Sequence, residues 1–367
     1  MSASGRNLAI VAGALAAKMG NGGHAWTRIS LVLGLRRLGF SVVFVEELAG
    51  APTAERDHFQ RLCARFNIEG YLLSGQPPYE LVARADAASL LLNVGGHLTF
   101  AEMKRGPRVR VYLDDDPGYT QLWHQAGLLK DRLAGHDHHF TYGANIGRSG
   151  CPLPVDGIRW RPIRPPVVLD EWPVANGGGD EFRTVASWRG GYGRVKSNGH
   201  LYGQKAHEFR RFAQIPELTA RPFEIALDIG EADAADAEML RGHGWRLVDP
   251  ALVASTPDDF RRYVQGAGAE FSVAQGIYAE TRCGWFSDRT TRFLASGKPV
   301  LVQDTGFSDA LPTGEGLLAF TTLEGARAGV DSIQRDYRAH AECARAMAAE
   351  YFDSDKVLAR MLEEVGL

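Results

Sequence analysis

The sequence predicts an α/β protein built from two doubly wound domains, and three observations carry that prediction. Short apolar, β-branched runs alternate with helical patterns over residues 1–165, the arrangement that folds as a parallel sheet covered on both faces. The stretch 161–180 then concentrates chain-breaking residues: Arg161-Pro162-Ile163-Arg164-Pro165-Pro166, Pro173 and Asn176-Gly177-Gly178-Gly179. Beyond it the alternation restarts. The expected division is a first domain at 1–165, a second at 180–345, and a C-terminal helix at 346–367.

In the first domain Leu8-Ala9-Ile10-Val11-Ala12, Ser41-Val42-Val43-Phe44-Val45, Ser89-Leu90-Leu91-Leu92-Asn93 and Val109-Arg110-Val111-Tyr112-Leu113 read as strands. The segment 27–38 reads as a helix covered on both sides, because Ile29, Val32 and Leu33 form one apolar stripe and Leu31, Leu35 and Leu38 another. In the second domain Thr184-Val185-Ala186-Ser187-Trp188 is a strand, followed by the glycine-rich loop 189–193 and a helix at 205–212. Phe223, Ile225, Leu227 and Ile229 alternate with Glu224, Ala226 and Asp228, a period-two strand. A helix at 288–296 runs into the strand Pro299-Val300-Leu301-Val302. Past residue 324 no strand signal survives. Val330, Ile333 and Tyr337 lead into an alanine-rich helix, and a last helix carries Val357, Leu358, Met361, Leu362 and Val365, with Asp353 or Ser354 as its cap.

Composition narrows the function classes. Hydrophobic residues make up 45% and charged residues 23%, enough to bury two cores and too much for a disordered or collagen-like chain. With 41 Lys and Arg against 44 Asp and Glu, the net charge of -3 supplies no basic field for nucleic acid or an anionic membrane. The apolar run 8–17 is shorter than the ~20 residues that cross a bilayer, and 18–24 offers no small-residue cleavage site, so a cytoplasmic protein without stable membrane insertion is expected. Cys63, Cys151, Cys283 and Cys343 form no Cys-x-x-Cys pair, and no metal is expected. His136-Asp137-His138-His139 sends His138 and His139 to opposite faces of a strand, which argues against a shared metal.

The densest chemistry lies between Cys283 and Val302, opening on Cys283-Gly284-Trp285-Phe286-Ser287-Asp288-Arg289-Thr290: a glycine-containing loop, a Ser/Asp cap, a helix, a Gly297 stop and a strand. A helix starting at a sheet edge presents free N–H groups and a partial positive charge to a phosphate, and Arg289 and Arg292 add to it. Loop 189–193, with Gly190, Gly191 and the nearby Lys205, offers a second close approach for phosphate, although it is not a Walker motif.

The run Ser287-Asp288-Arg289, Phe293-Leu294-Ala295-Ser296-Gly297-Lys298-Pro299-Val300-Leu301-Val302, Thr305-Gly306-Phe307, Leu311-Pro312 and Gly314-Glu315-Gly316-Leu317-Leu318-Ala319-Phe320 resembles the donor-binding signature of GT-B glycosyltransferases of the "group 1" type. Gly23-His24-Ala25-Trp26, followed by Leu31, Leu35 and Leu38-Gly39-Phe40-Ser41-Val42-Val43-Phe44-Val45, resembles the N-terminal Gly-His helix and second strand of the same superfamily. The resemblance implies two Rossmann-like domains facing a central cleft, with the C-terminal helix returning to the first. A nucleoside-diphosphate sugar would lie on the second domain and a small-molecule acceptor on the first, without cofactor or metal.

It also assigns residues. Gly190, Gly191, Lys205, Gly284, Ser287, Asp288, Arg289, Thr290 and Asp304 would hold the donor, although Asp304 and Asp309, flanking Gly306, suit a turn equally well. His24 would deprotonate the acceptor hydroxyl, since an imidazole of pKa ~6.5 can take a proton at neutral pH. One of Asp114, Asp115 and Asp116, with Asp115 preferred, would orient that ring as the carboxylate of a serine triad does. His97, in a similar Gly95-Gly96-His97, competes for the role of base. Arg292 stands where retaining members carry a glutamate, and Cys283-Gly284-Trp285 where inverting natural-product enzymes carry His-Gly-Gly, so both stereochemical outcomes stay open. The expected function is metal-independent transfer of a hexosyl or deoxysugar group to a hydroxyl. The alternatives are a sugar-nucleotide epimerase of the same fold or a catalytically inert partner protein. Loops 15–23 and 95–105 mix glycine with apolar residues and favour a small hydrophobic acceptor, nucleic acid is not expected, and a homodimer is compatible with the sequence.

Overall fold

Two parallel sheets stand face to face in a computed structural model that describes residues 7–175, 177–197 and 199–367. Residues 1–6, where part of the N-terminal reading falls, and Asn176 of the chain-breaking stretch lie outside the described residues. The first sheet contains β1 (Leu8–Ala12), β2 (Ser41–Glu47), β3 (Glu69–Leu73), β4 (Leu90–Val94), β5 (Val109–Asp114), β6 (His138–Thr141) and β7 (Trp160–Pro162), in the order 3-2-1-4-5-6-7. The second contains β8 (Phe182–Ser187), β11 (Phe223–Asp228), β12 (Trp245–Val248), β13 (Ala269–Ser272), β14 (Val300–Gln303) and β15 (Leu317–Phe320), in the order 12-11-8-13-14-15. A small antiparallel hairpin, β9 (Val195–Ser197) with β10 (His200–Tyr202), follows the glycine-rich loop. Both six- and seven-stranded sheets are parallel throughout, and each reverses its strand order once, at β1/β4 and at β8/β13. A crevice opens at such a switch, beyond the carboxyl ends of the strands.

β1 and β4 are buried along their whole length, which is why they read as unbroken apolar runs. The edge strand β3, half exposed, and the short β7, β12, β13 and β15 carry weaker patterns and were not expected as strands of the sheets, whereas β6 begins within the strand start read at 136–139.

The first helix, Gly22–Arg37, begins five residues before its apolar stripe does. Asn21 caps it by accepting from the His24 amide at 2.9 Å. Two glycines are poor helix formers, but no other residue fits at Gly22: a Cβ there would lie 2.0 Å from the Thr256 carbonyl oxygen of the second domain. The Gly22 amide donates to Ala254 O at 2.8 Å, and Trp26 Nε1 donates to Pro257 O at 2.8 Å. Helix and second domain are thus joined by backbone as well as by side chains. Trp26 packs edge-on against Trp172, and Trp172 against Phe260, so one apolar core runs through the joint.

At the C-terminus the alanine-rich region is two helices, Leu323–Arg335 and Tyr337–Met347, divided at Asp336, whose side chain caps the second. Asp353 caps the last helix, Ser354–Glu364, by accepting from the Asp355 amide at 3.1 Å. This helix buries Leu358, Met361 and Leu362 against the first domain, and Arg37 grips Asp355 with two bonds of 2.8 and 2.9 Å. A Cβ on Gly34 would stand 2.6 Å from Leu358 Cδ1 and 2.9 Å from Ser354 Cβ. Gly34→Val is therefore expected to lift the helix off and to lower stability by about 1–3 kcal/mol in urea denaturation, the usual cost of overpacking. An unchanged midpoint would show that the tail does not depend on this contact.

Candidate active site

The carboxyl ends of both sheets empty into one cleft of about 860 Å³. Its first-domain wall comes from the loops after β1 (Lys18 to Asn21), β4 (Gly95, His97), β5 (Asp115, Asp116) and β6 (Tyr142). Its second-domain wall comes from Ser187 after β8, Asp228 at the end of β11, Asp249 to Ala251 after β12, and Asp288 and Arg289 at the start of the helix Asp288–Ala295.

Glu46, near the end of β2, fixes the loop after β1. Its carboxylate accepts the amides of Leu15, Ala16 and Ala17 at 2.7, 2.6 and 2.8 Å. Burial pushes its pKa up while these three N–H groups pull against it. His24 lies in the first turn of the helix and lines the cleft, yet both its ring nitrogens are engaged. Nε2 donates to Ala14 O at 3.0 Å, which leaves Nδ1 to accept from Arg28 at 3.5 Å. Burial and the charges of Arg28 and Lys18 hold its pKa well below the ordinary value. Asp115 pairs with Arg28 at 2.7 Å rather than with His24, so the expected His24–Asp115 couple does not form. Arg28, one helical turn beyond His24, takes both partners.

His97 is differently placed. Its largely buried ring makes no hydrogen bond to a described residue and packs over Gly95 close to Asp115, a Cβ on Gly95 falling 3.4 Å from His97 Nε2 and 3.5 Å from Asp115 Oδ1. Burial, Arg28 and Arg132 push its pKa down to about 4 against the pull of Asp115, so the ring is neutral at pH 7. Asp114 is a buried anchor for Thr120, Gln121 and Thr141, at 2.7, 2.9 and 2.7 Å, and burial raises it to about 6. Asp116 receives two hydroxyls from the second domain, Tyr192 at 3.0 Å and Tyr278 at 3.4 Å, and burial beside Asp115 raises it to about 7. Tyr192 hangs from the glycine-rich loop, whose Gly190 and Gly193 adopt φ of +66° and +69°, and stands edge-on to Trp123 at 4.7 Å.

On the second-domain wall Asp288 points across the joint to Thr27 Oγ1 at 2.6 Å and pairs with Arg292 at 2.5 Å. Burial opposes ionisation there, but Arg292 and the Thr27 hydroxyl hold the carboxyl near a pKa of about 2. Arg292 is fully buried, with Trp172 and Phe260 each 6.0 Å from its guanidinium. Arg289 lines the cleft with its charge already committed: it donates to Glu270 at 2.7 Å, to Val185 O at 2.9 Å and to Ser272.

Several expected donor residues stand behind the wall. Lys205 bonds Val273 O, and burial beside Arg289 pushes its ammonium down to about 7. Gly284, with φ of +78°, is pressed against the Ala144 and Asn145 backbone, where no Cβ fits. Thr290 is buried beneath the helix, and Ser287 occupies the cap position without a side-chain capping bond. Asp304 closes a turn, accepting from the Gly306 amide at 2.9 Å and from Ser308 Oγ at 2.8 Å. Of the two loop glycines Gly191 lines the cleft, whereas Gly190 faces the Gln275 side chain.

Tyr142 was not foreseen. Its hydroxyl is buried at the cleft, feels the charges of Asp115 and Asp288, and has no hydrogen-bond partner among the described residues. A tyrosine one residue past a strand end gives no sequence signal for this. Arg28 did leave one, its i+4 spacing from His24 on one helical face. Among the described residues no group of three His, Cys, Asp or Glu is arranged to hold a metal ion, and His139 packs on Tyr112 and Trp160.

No protein-family model matches the chain, and no curated protein matches it in sequence. Solved structures do match in fold. An α-glucosyltransferase in complex with UDP superposes with a TM-score of 0.64 at 10% identity, over 98% of this chain and 100% of the other. An α-glucosyltransferase in complex with UDP and a 13-mer DNA gives 0.64 at 11% identity, over 98% and 99%. Anabaena HepE with UDP and glucose gives 0.61 at 13% identity, over 98% and 99%. Sucrose-phosphate synthase from Thermosynechococcus elongatus gives 0.56 at 14% identity, over 98% of each chain.

Proposed function

Because the chain has the GT-B fold, we propose that it transfers a sugar from a nucleoside-diphosphate sugar to a hydroxyl of a small acceptor. The observation that carries the reading is the Tyr142 hydroxyl, a buried donor left unpaired where the walls of the two domains meet. An unmet polar group of this kind costs about 1–3 kcal/mol, a cost relieved when a ligand supplies the partner. In this proposal the nucleoside lies along the ends of β8, β11 and β12, near Ser187, Asp228 and Asp249. The diphosphate lies over the start of the Asp288–Ala295 helix, where the first-turn amides are free. Gly191 keeps a direct role, and Gly190, Lys205, Gly284, Ser287, Asp288, Arg289, Thr290 and Asp304 support the backbone around it.

The reacting hydroxyl belongs on the first-domain wall beside His97. The chemistry proposed there needs no cofactor. The epimerase alternative is not favoured, since both imidazoles of the cleft, His24 and His97, stand on that wall and none faces the donor side.

Calorimetric titration with a panel of nucleoside diphosphates, UDP first, tests the donor site, and mass-spectrometric detection of sugar release from the corresponding donors tests the reaction. Tyr142→Phe should leave the melting temperature unchanged or higher and slow sugar release by up to about tenfold, the worth of one hydrogen bond. Absence of both nucleotide binding and sugar release across the panel would sink the proposal.

A further inference from the structure

We infer that the acceptor held by the first domain carries an anionic group, a phosphate or a carboxylate, seated between Lys18 and Arg132 beside His97. The inference rests on the transfer reading above and names its acceptor class.

The charges of the cleft wall carry it. Four cations line the cavity: Lys18, Arg28, Arg132 and Arg289. Arg28 is consumed by Asp115 at 2.7 Å, and Arg289 by Glu270 at 2.7 Å. Lys18 and Arg132 make no side-chain hydrogen bond or ion pair with a described residue. Of the nearby carboxyls Asp115 is already paired, and Asp116 is satisfied by the hydroxyls of Tyr192 and Tyr278. Two uncompensated positive charges therefore remain on one side of the cleft.

Their backbone positions are fixed, which makes the pair a built feature. Lys18 ends the short turn whose amides are held by the buried Glu46. Arg132 is seated on Gly96, where a Cβ would lie 2.7 Å from both Arg132 Cβ and Arg132 O, and that glycine immediately precedes His97. Burial and Arg28 depress the basicity of His97 most, and Arg132 and then Lys18 add to the effect. An anion between them would offset that field and return basicity to the imidazole when the acceptor is present. In the transfer reading above the donor diphosphate lies over the helix start on the opposite wall, which leaves this pair to the acceptor.

The experiment uses the full chain with UDP bound and inorganic phosphate as the probe. The His97 ring signal is followed by NMR in wild type and in the Lys18→Met/Arg132→Met double variant, with acetate as a parallel probe. Both side chains are solvent-exposed, so the double variant is expected to fold. A saturable shift of the His97 signal is expected, its half-saturation weakened by about tenfold or more in the double variant, with UDP affinity unchanged. A stronger response to phosphate than to acetate assigns a phosphorylated acceptor, and the reverse a carboxylated one. No saturable shift with either probe, or an equal shift in the double variant, overturns the inference. Displacement of UDP by phosphate also overturns it, by assigning the cations to the donor. Failure to bind UDP at all is a failure of the transfer reading and is scored separately.

Discussion

His97→Ala is expected to lower sugar transfer by roughly 100- to 10,000-fold with nucleotide affinity unchanged, the usual contribution of a positioned general base. The sequence resemblance pointed to His24, but the hydrogen bonds separate the two imidazoles. His24 spends Nε2 on Ala14 O and turns Nδ1 toward Arg28, so neither nitrogen is free to take a proton. His97 keeps both nitrogens unbonded beside Asp115. His24→Ala should therefore cost less than His97→Ala and act mainly by loosening the loop after β1. Turnover of both variants, measured with the anomeric configuration of the product, decides the matter. Retained configuration with less than about a tenfold loss for His97→Ala would remove the base assignment, because a departing phosphate can assist the acceptor itself.

Arg292→Met should destabilise the protein by about 3–5 kcal/mol, the range for removing one partner of a buried ion pair. Arg292 is fully buried, and among the described residues its Nε has no partner and its one ion pair is with Asp288, which also holds Thr27 of the first domain. The pH dependence gives an independent readout. The folded-state pKa of Asp288 is depressed to about 2, below its unfolded value, so its contribution is present above pH ~4 and is lost as pH falls through about 2. Wild type should lose stability over that window, and the variant, lacking the cation, should lose less there. Equal acid profiles would show that the pair contributes little. Urea midpoints collected from neutral pH down to pH ~2 make the comparison.

The fold was largely legible because both sheets are parallel, so β1, β2, β4, β5 and β14 appear as largely apolar runs, while β8 and β11 show as a β-branched segment and a period-two alternation. β13 was hidden by Glu270 in its middle, a charge that is tolerable only because Arg289 arrives from a helix nineteen positions later. The early start of the first helix was hidden in the same way, since its glycines answer to Thr256 across the joint rather than to helix propensity. In the cleft, sequence reasoning named several of the loops that line it but not the partners their side chains meet. Asp115, His24, His97 and Arg289 do line the cleft, but which partner each one meets is fixed by Arg28 and Glu270, which belong to other elements. Lys205, Gly284, Thr290 and Asp304 were chosen by position in a motif, and local packing turned them toward the interior or into a turn.

The aromatic run through the joint bears on how a substrate gets in. Swinging the domains apart about the 161–180 connection would wet Trp26, Trp172 and Phe260 together, and each large apolar side chain contributes about 1.5–3 kcal/mol when covered. Thr27–Asp288 and the Gly22 and Trp26 backbone bonds would break in the same motion. The sum approaches the whole margin by which a domain is folded, about 5–15 kcal/mol. Wide parting is thus a rare excursion. Displacing the glycine-rich loop that carries Tyr192 costs less, one hydroxyl bond to Asp116 and the packing of its ring on Trp123 and Tyr119, so rearrangement of the cleft wall is cheapest there.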